Sequence, residues 1–186
     1  MGWSENSLKM ANVIDQQQTS TDSVVNLRYA STNQSIGQKI IPTVTAKCSQ
    51  ITFKLKQIGS IGAGVYAYIF DDSSGTPGTL LATSDVIDTG DISTITATDY
   101  TFSFTGADLI YLNRGITYHI VIGGSYAISQ TKYVEVSINS AGGYANGYEE
   151  ESSPWTINSG VDMYFKQLYD DTTIISAGGA LFFAQY

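Results

Sequence analysis

The chain has one histidine and one cysteine, and that scarcity limits the chemistry open to it. A hydrolase built on a Ser/His/acid set needs a base, and His119 is the sole histidine to serve. It sits in "GITYHIVIGG", on the same side of an alternating run as Thr117 and Val121. No nucleophile elbow of the form G-x-S-x-G occurs, and "GGSYA" is not one. His119 is therefore expected to be a sheet-face histidine with a hydrogen-bond partner. Zinc needs clustered Cys and His ligands, and Cys48 lies far from His119 in the sequence. "GSIGAG" lacks the helix that a phosphate-binding glycine loop opens. Carboxylates are more plentiful. Asp71 and Asp72, Glu149 to Glu151, and Asp170 and Asp171 stand side by side, and calcium takes such oxygens. None of them forms an EF-hand loop, so they are expected to be solvated loop acids. Asp71 and Asp72 are the pair to test for calcium, and no other cofactor is expected. Glycoside cleavage needs two carboxyl groups facing each other across a cleft, and nothing singles out such a pair. An enzyme is not expected.

Aromatic side chains are the other resource, with 13 tyrosines and 2 tryptophans. The C–H faces of sugars stack on such rings. "GGYANGYEEESSPW" offers Tyr144, Tyr148 and Trp155 beside acids and an asparagine on one long loop, and loops on a rigid scaffold commonly carry binding. The alternative is that these rings pack the loop onto the domain. Tyr66, Tyr68 and Phe70 share one side of "GVYAYIF". That side is a ligand platform, a covered second face or a subunit contact.

The elements that position these residues repeat with period two. In "ITFKLKQI", Ile51, Phe53 and Leu55 face one way and Thr52, Lys54 and Lys56 the other, the pattern of a strand with one buried face. "YTFSF" aligns Tyr100, Phe102 and Phe104. "GITYHIVIGG" aligns Ile116, Tyr118, Ile120 and Ile122, and "YVEVSI" aligns Val134, Val136 and Ile138. "VVNLRYA", "SIGQKII" and "DMYFKQLY" are further strands, and Gly, Asn, Asp and Ser clusters punctuate them. In "DDSSGTPGTLLATS", Pro77 and Gly78 are expected to make the turn. About eight strands with glycine-rich turns predict an all-β, antiparallel jelly-roll sandwich. Residues 1–24 read as a polar N-terminal arm in which Leu8, Met10, Val13 and Ile14 share a short helix face. Residues 25–171 are the sandwich. Residues 172–186 are a tail or extra hairpin whose Leu181, Phe182 and Phe183 need a cover, as assembly contacts would give.

At 186 residues the chain suits one domain, and its single cysteine rules out an intrachain disulfide. A net charge of −8 without a basic cluster argues against nucleic acid and anionic membrane surfaces. No apolar stretch is long enough to span a bilayer, and no secretory leader opens the sequence.

Three stretches carry a family likeness: "GTPGTLLATS" at Gly75–Ser84, "LNRGITYHIVI" at Leu112–Ile122, and "WTINSGVDMYFK" at Trp155–Lys166. Over residues 35–170 the chain resembles a jelly-roll β-sandwich module of bacterial surface proteins and tailed-phage structural proteins. The resemblance implies a role without catalysis. With the missing leader and the two arms, it leads to a virion structural protein of a tailed phage: a capsid decoration, head-fibre or tail-associated protein. Its partners would be other virion proteins and copies of itself, with host glycans as a possible contact. The alternative is a carbohydrate-binding or adhesin module at a bacterial cell surface.

Overall fold

The computed structural model describes residues 11–29, 34–145, 149–151 and 155–174, with the backbone alone at 149–151. Period-two alternation builds two antiparallel sheets. One contains β1 (Asn12–Gln18), β2 (Ser23–Leu27), β4 (Ala46–Ile58), β8 (Thr98–Ser103), β9 (Tyr111–Leu112), β11 (Tyr133–Asn139), β14 (Asp162–Met163) and β15 (Phe165–Asp170). The other contains β3 (Ser35–Ile40), β5 (Gly64–Ser73), β6 (Thr76–Thr83), β7 (Ile87–Asp88), β10 (Tyr118–Gly124), β12 (Glu149–Glu151) and β13 (Thr156–Asn158). The fold is the expected all-β antiparallel sandwich. It has more strands than the eight or so read from the sequence, because β7, β9, β12, β13 and β14 are only two or three residues long. Segments that short cannot display a period.

β4 is the hub of the larger sheet and pairs with β15, β11, β8 and β9. Ile51, Phe53 and Leu55 are fully buried, as the alternation requires, while Lys54 and Lys56 on the other face are half-buried. The smaller sheet supplies Ile36, Ile40, Val65, Ala67, Ile69, Tyr118, Ile120 and Ile122 to the same core.

Three local expectations are corrected. Val13 and Ile14 lie on a strand, not a helix face: β1 pairs with β15 along the edge of the sheet. Its buried residues are Gln16 and Gln18, each 6% exposed, while Val13 and Ile14 are exposed. Buried polar residues erase the hydrophobic alternation that marks a strand. The β5–β6 turn is Ser74-Gly75, both at positive φ (57° and 90°), with Ser73 paired to Thr76. That is the backbone a two-residue hairpin loop requires. Pro77 and Gly78 lie within β6, which carries register shifts opposite Phe70 to Asp72. A Cβ at Gly78 would come within 2.4 Å of the Asp71 carboxylate, so glycine is needed there for close approach. Ile116 does not extend the buried face of β10. It is 51% exposed in the turn closed by Gly115 (φ 75°).

On the outer face of the larger sheet, Asp99 accepts hydrogen bonds from Lys166 Nζ (2.6 Å) and Tyr164 Oη (2.8 Å). Desolvation works to raise the Asp99 pKa, but these bonds and the nearby lysine charges outweigh it and hold the carboxyl below its usual value. A depressed carboxylate contributes stability above its unfolded pKa of about 4 and loses it as pH falls through the folded value. Asp99 is partly exposed, so the effect is small. Acidification from pH 5 to pH 3 should cost the wild type about 1–3 °C more in Tm than Asp99→Asn. Thermal melts across that range test this, and parallel acid limbs would refute it.

Candidate functional site

The outer face of the seven-stranded sheet gathers most of the candidate residues. Register fixes its layout. Tyr66, Tyr68 and Phe70 on β5 stand opposite Gly123, Val121 and His119 on β10. Those three stand opposite Ser35, Gly37 and Lys39 on β3. The three rings form a half-buried row. Tyr66 and Tyr68 are near-parallel, with centroids 6.1 Å apart and planes at 26°. Phe70 follows at 6.3 Å and 62°. The glycines beside the row let the rings lie down. A Cβ at Gly123 would sit 3.0 Å from the Tyr68 ring. Burial, with a smaller contribution from Tyr66, raises the Tyr68 hydroxyl pKa, while the Arg28 charge works against it.

His119 and Asp72 close one end of this face. The His119 ring is fully buried, and its Nε2 lies 2.9 Å from Asp72 Oδ1. Desolvation tends to raise the Asp72 pKa. The hydrogen bonds from His119 and the Gly75 N–H, with the His119 and Lys39 charges, bring it below the usual carboxylate range. An ionised carboxylate only accepts, so Nε2 carries the proton. This is the hydrogen-bond partner expected for a sheet-face histidine.

Asp71 and Asp72 do not converge. Asp71 is opposite Tyr118, on the inward side of the sheet, and accepts from the Thr79 N–H. Asp72 faces outward to His119 and also accepts from the Gly75 N–H at 3.1 Å. Among the described residues, no group of three His, Cys, Asp or Glu side chains could hold a metal ion.

The loop aromatics separate as well. Tyr144 serves the core: its ring meets Phe165 edge-on at 5.2 Å and its hydroxyl donates to Gln16 Oε1 at 2.6 Å. Trp155 is half-buried in the turn before β13. Tyr148, Leu181, Phe182 and Phe183 lie outside the described residues. A hollow of about 480 Å³ on the other sheet is lined by Thr21, Asp22, Ser23, Val24, Lys54, Ala97 and Ser137, with no aromatic ring among them.

Sequence reasoning did not pair His119 with Asp72, which is 47 residues away. Only strand pairing, which a lone sequence does not reveal, brings the "HIVIGG" face beside the "GVYAYIF" face.

No protein-family model matches the chain, and no curated protein matches it either. Solved structures do resemble it. One is the clostridial cysteine protease Cwp84 after propeptide cleavage, at TM-score 0.54 and 12% identity, over 86% of this chain and 40% of that one. Another contains the cysteine protease and lectin-like domains of Cwp84, a surface layer associated protein of Clostridium difficile. It has TM-score 0.48 and 12% identity, over 86% of this chain and 36% of that one. The chain thus spans less than half the length of either. At this identity the likeness is one of fold.

A cysteine-protease reading of this chain meets a physical obstacle. Cys48, its one cysteine, is fully buried in the core, and burial pushes its thiol pKa up to about 12. A reactive thiolate needs the opposite environment. Cys48 also points into the core from β4, whereas His119 faces outward from the other sheet. Among the described residues, no helix is long and apolar enough to cross a membrane.

Proposed function

We propose that this chain is a non-enzymatic binding module of a bacterial surface protein that holds a glycan on the outer face of its seven-stranded sheet. The observation that carries this reading is the row Tyr66, Tyr68 and Phe70. These are three half-buried rings at 6.1 and 6.3 Å spacing on one face of a sheet, beside glycines that leave the rings uncrowded. A sugar ring laid on such a row buries its C–H face while its hydroxyls remain at the rim. The description of Cwp84 as a surface layer associated protein with a lectin-like domain agrees with it. The phage-particle role expected from the sequence draws no support from these similar structures.

The test is a glycan array with the full chain, followed by affinity measurement. Tyr68→Ala should remain folded, with a melting temperature lowered by a few degrees for its lost ring contacts, and should weaken binding by about tenfold, the scale of one aromatic stacking contact. Failure to bind any glycan would sink the reading. If Trp155→Ala abolishes binding and Tyr68→Ala does not, the ligand sits on the rim loop instead.

A further inference from the structure

The ring row has a polar end. Register sets Phe70 opposite His119 on the outer face of the seven-stranded sheet. Asp72 lies two residues beyond Phe70 on the same strand, and alternate residues of a strand share a side. Its bond to His119 confirms the placement: Asp72 Oδ1 is 2.9 Å from His119 Nε2. The Gly75 N–H donates to both carboxylate oxygens, at 3.1 and 3.3 Å. Two donors thus hold Asp72 at the Phe70 end of the row.

Those donors do not exhaust the carboxylate. An ionised carboxylate has about four acceptor positions. Among the described residues, only His119 and Gly75 donate to Asp72, and its side chain is 31% exposed. His119 is fully buried, so a ligand on the rings meets the carboxylate and not the imidazole. Asp72 is held in its ionised form, and its open positions only accept. Sugar hydroxyls are the complementary group, since they are neutral donors at the rim of a stacked sugar ring. Carboxylate and sulfate substituents are mismatched. They bring like charge towards Asp72, on a chain with 17 acids against 9 bases. Lys39, the base that register places on this face, stands beyond His119 on β3 and is itself engaged.

We propose that Asp72 accepts hydroxyl protons from a neutral sugar stacked at the Phe70 end of the row. This rests on the glycan reading above and narrows it to uncharged sugars with free hydroxyls at that end. The rings supply contact area. The carboxylate reads hydroxyls and rejects acidic sugars.

The experiment uses the full chain on an array of neutral, carboxylated and sulfated glycans, with Asp72→Ala, Asp72→Asn and Tyr68→Ala alongside. Neutral glycans should dominate the bound set. Asp72→Ala should weaken binding to them about 10- to 100-fold, the range of a hydrogen bond to a charged group. Asp72→Asn, which keeps one acceptor oxygen and loses the charge, should fall between. Monodeoxy derivatives of the best ligand then locate the contact. One of them should bind wild type with a similar loss, yet bind Asp72→Ala no worse than the parent sugar does. General damage to the fold would not produce that coupling. Asp72→Asn is isosteric and serves for the same comparison if Asp72→Ala fails to fold. Dominance of carboxylated or sulfated glycans, wild-type affinity in the Asp72 variants, or equal deoxy losses with and without Asp72 overturns the role of Asp72 and leaves the aromatic platform standing. Binding to no glycan, or wild-type affinity in Tyr68→Ala, overturns both.

Discussion

Phe53→Ala should destabilise the protein by about 3–5 kcal/mol, the usual cost of removing a buried phenylalanine. Phe53 is fully buried at the centre of β4, with Phe102 edge-on at 5.8 Å and 62°. Phe165 stands opposite it on β15. The three rings come from three strands of one sheet, so the vacated volume cannot close without shifting strands that are held by their ladders. Urea denaturation measures the effect: the midpoint should fall while the slope stays near wild type. A double-mutant cycle with Phe102→Ala should show coupling of about 0.5–1.5 kcal/mol for the ring pair. A loss below about 1 kcal/mol for Phe53→Ala would mean that the core is not packed around this ring.

Phe53 was legible because burial on one face leaves a period in the sequence. "ITFKLKQI" announces its inward residues, and so do "YTFSF" and "YVEVSI". Legibility ended where the buried residue was polar or the pairing was long-range. Gln16 and Gln18 are the buried residues of β1, so a strand looked like a polar arm. The hairpin turn was sought at Pro77-Gly78 because that pair has the stronger local preference. The chain instead turns at Ser74-Gly75, and Gly78 leaves room for the Asp71 carboxylate. The binding face was half legible. Tyr66, Tyr68 and Phe70 could be placed on one side of a strand, but their neighbours His119, Val121 and Gly123 belong to a strand some 50 residues on.

The polar tie between the sheets is the strongest case of a feature that only pairing reveals. Asp162→Ala should cost about 1–3 kcal/mol, because it takes the acceptor from the part-buried Tyr144 N–H and leaves the buried Gln38 Nε2 with only its longer bond to the Lys39 carbonyl (3.4 Å). Asp162 is 2% exposed on β14 of the larger sheet, and Gln38 is fully buried on β3 of the smaller one. Asp162 Oδ1 accepts from Gln38 Nε2 at 3.1 Å, and its Oδ2 accepts from the Tyr144 N–H at 2.7 Å. Gln38 Oε1 in turn accepts from the Met163 N–H at 2.7 Å. The cluster fixes the spacing of the sheets at one point and anchors the start of the loop that Tyr144 carries. Asp162→Asn keeps one acceptor oxygen and should lose less than Asp162→Ala. Amide hydrogen exchange separates this role from generic destabilisation: the Tyr144 and Met163 amides should lose protection in Asp162→Ala well before the β4 amides do. Equal loss at β4 would show that the tie belongs to the global fold and not to this junction. A network of this kind is either fully satisfied or a liability.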